Sequence, residues 1–113
     1  MNPVVHWELY GKDATRLASF YSELFGWKLR PLPEIGYVLI DTQAGTGICG
    51  GIATSGDASR LTTFYIEVDD IQPVLERIEK AGGKTTLAPV NEIVTFAQFA
   101  DPEQNIVEAA QER

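Results

Sequence analysis

The first apolar segment of the chain alternates between two kinds of side chain. Val5, Trp7 and Leu9 occupy every second position, and the positions between them carry mixed or polar side chains, among them His6. This period of two predicts a β-strand over residues 4–10, because successive side chains of a strand point to opposite faces. The large apolar face is expected to pack against a helix, which leaves the other face for a second task.

A helical pattern follows this strand. Apolar residues recur at intervals of three and four positions, which predicts an amphipathic helix over residues 14–25. Asp13 stands at the position of an N-cap, and Gly26 can adopt the left-handed conformation that ends a helix. Two aromatic residues of the pattern, Phe20 and Phe25, are predicted to lie in the core.

The same order of elements returns 57 residues later. A strand predicted over residues 62–68 has a large apolar face on which Phe64 is expected to be a core residue, and Asp70 opens a second helix that ends before Gly82. Three further strand-like segments follow in each half, at residues 27–30, 37–41, 48–53, 84–88, 93–100 and 105–110. The repetition predicts a duplicated βαβββ module and therefore an α+β fold.

A single domain is expected from the length and the composition. The chain has 113 residues, of which 44% are apolar and 22% charged, as in an ordinary globular protein. We predict one domain made of module 1–54, linker 55–60 and module 61–113, because the segment between the modules is short and rich in serine, glycine and aspartate.

Charge and cysteine content exclude several functions. The formal net charge is −7 and the nine basic residues are scattered, which argues against a nucleic-acid partner. The single cysteine, Cys49, cannot form an intrachain disulfide, which fits a cytoplasmic protein. No apolar run approaches the roughly 18 residues of a membrane span, so a membrane partner is not expected either.

The second faces of the two matching strands carry the candidate chemistry. A sheet face that holds acidic, hydroxyl and imidazole groups lines water, a ligand or a subunit contact. The candidate residues on these faces are His6, Glu8, Tyr10, Thr63, Tyr65 and Glu67.

Equivalent positions of the two modules are expected to converge. If the modules pair about an internal twofold axis, His6 and its counterpart Thr63 meet Gly51 and its counterpart Glu108 inside a curved sheet. This convergence predicts a small-molecule site between the modules.

Four segments resemble those of the vicinal oxygen chelate superfamily, which includes glyoxalase I, extradiol dioxygenases and bleomycin-resistance proteins. They are VHWEL at 5–9, FYSELFGW at 20–27, FYIEVDD at 64–70 and FADPEQNIVE at 99–108. The resemblance spans almost the whole chain. It implies paired βαβββ modules that form an open, barrel-like sheet around a cavity, commonly in a homodimer.

The resemblance also implies a metal site, but an incomplete one. Metal-dependent members hold a divalent ion with His and Glu side chains from four equivalent strands. By position, His6 matches the first ligand and Glu108 the last, while Thr63 and either Gly50 or Gly51 stand at the other two. Glycine has no side-chain donor, and a hydroxyl is a poor ligand for Zn²⁺, Ni²⁺ or Fe²⁺. We therefore expect no cofactor, with a divalent metal at His6 and Glu108 as the alternative.

Without a metal, His6 and Glu108 can be a catalytic pair. A carboxylate beside an imidazole fixes its tautomer and raises its pKa, which suits general base catalysis. A structural interpretation is also open, in which the two side chains form a buried hydrogen-bonded pair between the modules.

Several functions are consistent with the sequence. The first is a glyoxalase-like protein that binds, and as an enzyme transforms, a small organic molecule in the cavity between the modules. The second is a drug-sequestering protein of the bleomycin-resistance kind, which binds a ligand without changing it. A metal-dependent lyase, isomerase or dioxygenase and a structural or regulatory dimer are the remaining alternatives.

Overall fold

The computed structural model describes residues 1–56, 62–92 and 94–112. Most of the predicted linker lies outside these residues, as do positions 61 and 93, at which a predicted module and a predicted strand begin. The described residues form helices α1 (Ala14–Phe25) and α2 (Ile71–Lys80) and a short 3-10 helix (Pro33–Ile35). The strands are β1 (Val4–Gly11), β2 (Lys28–Leu32), β3 (Tyr37–Asp41), β4 (Gly50–Thr54), β5 (Thr62–Glu67), β6 (Lys84–Asn91), β7 (Thr95–Ala100) and β8 (Ile106–Gln111).

The chain divides into two compact units. The N-terminal unit is His6–Thr63, and the C-terminal unit combines Met1–Val5 with Phe64–Arg113. The first residues join the C-terminal unit because the Pro3 carbonyl accepts a hydrogen bond from the Glu67 amide at 2.9 Å. The element order is βαβββ in both halves, so the predicted α+β class and the duplicated module are confirmed.

The N-terminal unit is a four-stranded mixed sheet with α1 on one face. Its strand order is β2-β3-β4-β1, in which β1 and β4 run parallel and the other pairs antiparallel. The core lies between the sheet and the helix, and its buried residues are Ala14, Ala18, Val38, Ile40 and Ile52.

Helix α1 has the bounds that its local signals predict. The Asp13 side chain accepts a hydrogen bond from the Arg16 amide, and Gly26, with φ of 71°, ends the helix by donating its amide to the Ser22 carbonyl. The core prediction for its aromatic residues is wrong, because Phe20 and Phe25 are 54% and 61% exposed. The small residues of α1 face the sheet, so these rings lie outside the tightly packed layer.

The C-terminal unit repeats this architecture with the strand order β5-β8-β7-β6. Strands β5 and β8 are parallel, and α2 covers a core whose buried residues are Val68, Ile71, Leu75, Ala97 and Ala109. The core prediction for Phe64 is wrong, since this side chain is 40% exposed.

Helix α2 begins directly after Asp70, as predicted, but a different side chain caps its first turn. Asp70 is the N-cap residue, yet its side chain makes no capping hydrogen bond. The Gln111 side chain from the end of β8 accepts the amide proton of Ile71 instead, at 2.8 Å. The first turn of α2 is thus tied to a strand 40 residues away.

Neither helix in the described part of the chain is long and apolar enough to cross a membrane.

Candidate functional site

One face of the N-terminal sheet is lined with polar groups. Trp7 and Leu9 of β1 pack against the core under α1, so the period of two directs His6 and Glu8 to the opposite face. We call this surface the polar face. Tyr37, at the start of β3, contributes its side chain to the same surface.

Three side chains of the polar face form one hydrogen-bonded chain. His6 Nε2 lies 2.8 Å from Tyr37 Oη, and the Tyr37 hydroxyl donates to Glu8 Oε2 at 2.7 Å. The hydroxyl has a single proton and gives it to the carboxylate, so a neutral imidazole must donate its Nε2–H to Oη. The ring lone pair is then on Nδ1. Glu8, which is 3% exposed, has a partner for its buried charge.

Burial controls the protonation of His6. Loss of hydration lowers the pKa of this imidazole below its ordinary value of 6.5, and the negative charge of Glu8 opposes that shift more weakly. The predicted rise in the pKa of His6 refers to a pairing with Glu108, which stays a prediction. Glu8 acts in that direction, but the net change is the opposite because burial is the larger cause. The imidazole is therefore mostly neutral at pH 7.

Paired glycines in β4 allow two aromatic side chains to approach the sheet. A Cβ atom at Gly50 would lie 2.1 Å from Trp7 Cδ2, and one at Gly51 would lie 2.1 Å from Tyr37 Oη. Adjacent residues of a strand point to opposite faces, so each glycine makes room on its own face. Gly51 is part of the polar face because Tyr37 lies over it.

A second polar cluster lies in the C-terminal unit. Glu108 of β8 is 1% exposed, and Gln98 of β7 donates to its Oε1 at 3.1 Å. Tyr65 is the register partner of Glu108 on β5, and its ring meets that of Phe96 edge to face at 6.2 Å. This carboxylate, like Glu8, is buried among hydrogen-bonding side chains.

The structure groups the predicted site residues within each unit. His6, Glu8 and Gly51 share the polar face, while Tyr65 and Glu108 are cross-strand neighbours. The predicted approach of His6 to Glu108 joins the two units and stays a prediction.

The other predicted ligand-binding residues are placed as follows. Tyr10 is half-buried at the end of β1, Thr63 is buried in β5, and Glu67 is exposed at the end of β5. Backbone groups of Glu67 bond to the N-terminal residues Asn2 and Pro3. Their roles in ligand binding stay predictions.

Tyr37 was missed by the sequence analysis. It was only the first residue of a predicted strand, with no repeat partner or motif to single it out. The available signal was the Gly50-Gly51 pair, which indicates close approach by another group but does not say which group.

Comparisons with known proteins agree with this architecture. The family model described as the Glyoxalase/Bleomycin resistance protein/Dioxygenase superfamily matches residues 4–109. The chain belongs to this superfamily. A glyoxylase-like domain-containing protein from Didymella fabae is 32% identical over 111 residues, covering 87% of this chain and 84% of the relative.

Solved structures show that the superfamily fold extends over the whole chain. A superfamily member from Vibrio splendidus 12B01 has a TM-score of 0.69 at 21% identity, with 100% of both chains covered. Methylmalonyl-CoA epimerase from Mycobacterium tuberculosis has a TM-score of 0.67 at 10% identity, covering 97% of this chain and 87% of the epimerase. These similarities concern the fold.

The residues of this superfamily member do not fit the implied metal. No group of three or more His, Cys, Asp or Glu side chains that could hold an ion occurs among the residues that the structure describes. The resemblance implies four ligand positions, one of them at Gly50 or Gly51. Neither glycine has a side-chain donor, and the hydroxyl of Tyr37 fills the space where a side chain at Gly51 would begin. At another, Thr63 offers only a neutral hydroxyl.

Proposed function

We propose that this glyoxalase-superfamily protein binds a small organic molecule at the polar face of its N-terminal unit, with His6 as a proton acceptor toward the ligand. The hydrogen-bonded chain of His6, Tyr37 and Glu8 carries this proposal. Burial of an imidazole and a carboxylate costs free energy, whereas burial of apolar side chains does not. Buried ionisable groups of this kind cluster at functional sites.

The chemistry of the three side chains suits a general base. His6 is mostly neutral at pH 7 because burial lowers its pKa, and hydrogen bonding to Tyr37 assigns the lone pair to Nδ1. When Nδ1 accepts a proton, the negative charge of Glu8 stabilises the imidazolium through the intervening hydroxyl. A base of this kind can remove a proton from carbon next to a carbonyl group.

Membership of the superfamily supports a small organic ligand with a proton next to a carbonyl group. Its name covers glyoxalases and dioxygenases, and a fold neighbour is an epimerase named for a CoA ester. An epimerase inverts a centre at carbon, a reaction for which removal of a proton is one route. Methylmalonyl-CoA is therefore the first ligand to test.

Sequestration without reaction is a second candidate function. The incomplete set of metal donors and the net charge of −7 favour it, since an acidic protein attracts cationic drugs. Bleomycin is the probe for this alternative, because the superfamily is named in part for resistance to it.

Ligand binding and proton transfer are tested separately. Methylmalonyl-CoA, catechol and bleomycin are each titrated calorimetrically into the protein and into His6→Ala, with Thr15→Ala on the exposed side of α1 as the control. Binding of at least one probe that weakens in His6→Ala alone supports a ligand site at the polar face. Equal affinities in all three proteins, or no binding, would contradict it.

Proton transfer is followed by deuterium exchange. A bound carbonyl compound in D₂O should lose its acidic C–H signal in the NMR spectrum with the wild-type protein and with Thr15→Ala, but not with His6→Ala. Binding without exchange in every protein supports sequestration and refutes the role of His6 as a base.

A further inference from the structure

Tyr37 and a side chain at position 51 exclude each other. A Cβ atom at Gly51 would lie 2.1 Å from Oη, 2.3 Å from Cζ and 2.4 Å from Cε2 of Tyr37. Non-bonded carbon atoms are in ordinary contact at about 3.5–4.0 Å, so these distances describe overlap. All three of these nearest atoms belong to one side chain, so the Tyr37 ring is the group that a Cβ atom at position 51 meets first.

The same hydroxyl also occupies one ring nitrogen of His6, Nε2. Nε2 of His6 and Oε2 of Glu8 both lie within hydrogen-bonding distance of Oη, at 2.8 and 2.7 Å. The aromatic ring further restrains His6, because the two ring planes are inclined by only 21° with centroids 6.4 Å apart. A cation on Nε2 would have to displace this hydroxyl and the proton that Nε2 donates to it. The hydrogen bond does not involve Nδ1, which carries the lone pair.

We propose that the Tyr37 hydroxyl takes the place of a divalent metal in this chain, because it joins His6 to Glu8 and fills the space from which a ligand at position 51 would extend. The inference rests on the proposed function in treating the polar face as the ligand site. It adds that the site orients His6 by hydrogen bonds and does not hold a metal ion between Nε2 of His6 and a side chain at position 51.

The first experiment measures metal binding directly. Untagged protein is used, because His6 is then the only histidine and its imidazole NMR signals are unambiguous. Mn²⁺ is added up to one equivalent while free Mn²⁺ is followed by electron paramagnetic resonance. We expect free Mn²⁺ to equal the amount added and the His6 signals to stay sharp. One bound equivalent that broadens those signals would overturn the proposal.

The second experiment places a methyl group at position 51. Gly51→Ala should push the Tyr37 ring aside, shift the ¹⁵N signals of His6 and lower Tm by roughly 4–12 °C, as overpacking in a domain of this size does. Gly56→Ala is the matched control, because a Cβ atom there meets no atom of the described residues within 4 Å. An unchanged His6 spectrum and Tm in Gly51→Ala would refute mutual exclusion.

A double variant keeps the test valid if Gly51→Ala does not fold. In a Tyr37→Ala background the obstructing ring is gone, so adding Gly51→Ala should change Tm by less than about 2 °C. The proposal is supported if the double variant folds, or if Gly51→Ala lowers Tm only in the protein that retains Tyr37. If Tyr37→Ala folds and the double variant does not, a group other than Tyr37 excludes the methyl group and the proposal fails.

The outcomes separate this inference from the proposed function. Mn²⁺ bound at His6 together with a bound organic probe would refute the metal replacement and leave the ligand site standing. Absence of probe binding together with the expected Mn²⁺ and Gly51→Ala results would refute only the ligand site.

Discussion

Replacement of Tyr37 by Phe tests the hydrogen-bonded chain by removing one oxygen atom. The ring that lies over Gly51 is retained, so packing against β4 changes little. Two hydrogen bonds are lost, one to the carboxylate of Glu8 and one to the imidazole of His6. The variant therefore isolates the polar interactions of the site from its packing.

The expected loss of stability follows from the partners. A hydrogen bond to a charged group contributes about 1.5–3 kcal/mol and one between neutral groups about 0.5–1.5 kcal/mol, so Tyr37→Phe should lower the free energy of unfolding by about 2–4.5 kcal/mol. The burial of Glu8, which is 3% exposed, favours the upper half of this range because water has little access to replace the lost donor. At about 4 °C per kcal/mol for a domain of this length, Tm should fall by roughly 8–18 °C.

Urea unfolding followed by tryptophan fluorescence measures this loss. Tyr21→Phe is the matched control, because the ring contacts that Tyr21 makes in the described structure are retained in the variant. Its free energy of unfolding should fall by less than about 0.5 kcal/mol. A double-mutant cycle of Tyr37→Phe with Glu8→Gln should show a coupling of about 1–3 kcal/mol. Equal losses in the two tyrosine variants, or no coupling to Glu8, would refute the hydrogen-bonded chain.

Three further predictions concern stability. Gly50→Ala should lower the unfolding free energy in urea by about 3 kcal/mol, because its Cβ would lie 2.1 Å from the Trp7 ring and 2.5 Å from the Trp7 carbonyl oxygen, which a rotation of the ring does not relieve. Burial holds the pKa of His6 below its ordinary value of 6.5 in the folded state, so the unfolded chain binds more protons. The free energy of unfolding should therefore fall as the pH drops through 6.5 toward the lowered pKa. Urea titrations at several pH values should show that His6→Asn loses this dependence. Asp13→Ala should lower the free energy of unfolding, measured by thermal unfolding, by about 1 kcal/mol. Asp70→Ala should lower it by only a few tenths of a kcal/mol, since only the Asp13 side chain caps its helix.

Each of these predictions has an outcome that contradicts it. A Gly50→Ala protein as stable as Gly56→Ala would show that the strand can accommodate a methyl group next to Trp7. A pH dependence that persists unchanged in His6→Asn would assign it to another group. Equal losses for the two aspartate variants would show that the capping hydrogen bond of Asp13 contributes nothing.

Local signals in the sequence determined the elements and the faces of the strands. Helix α1 begins after Asp13 and ends at Gly26, as predicted, because capping and the left-handed turn depend on residues within one helical turn. The period of two in β1 correctly placed His6 opposite the core side of Trp7. The family was likewise readable, because its segments follow one another in a fixed order along the chain.

Only the tertiary structure decided which groups meet on those faces. Tyr37 reaches His6 and Glu8 because β3 pairs with β4 and β4 with β1 in one particular register, and a shift by one residue would direct the side chain to the other face. Gln111 replaces the Asp70 side chain at the start of α2 for the same reason, since its position depends on a strand distant in sequence. The spacing of apolar residues predicts on which side of a helix or strand they lie. Their burial depends on which other elements pack against that side. The chain thus encodes its elements locally, while the polar network that we propose as its site arises from contacts between strands that are far apart in the sequence.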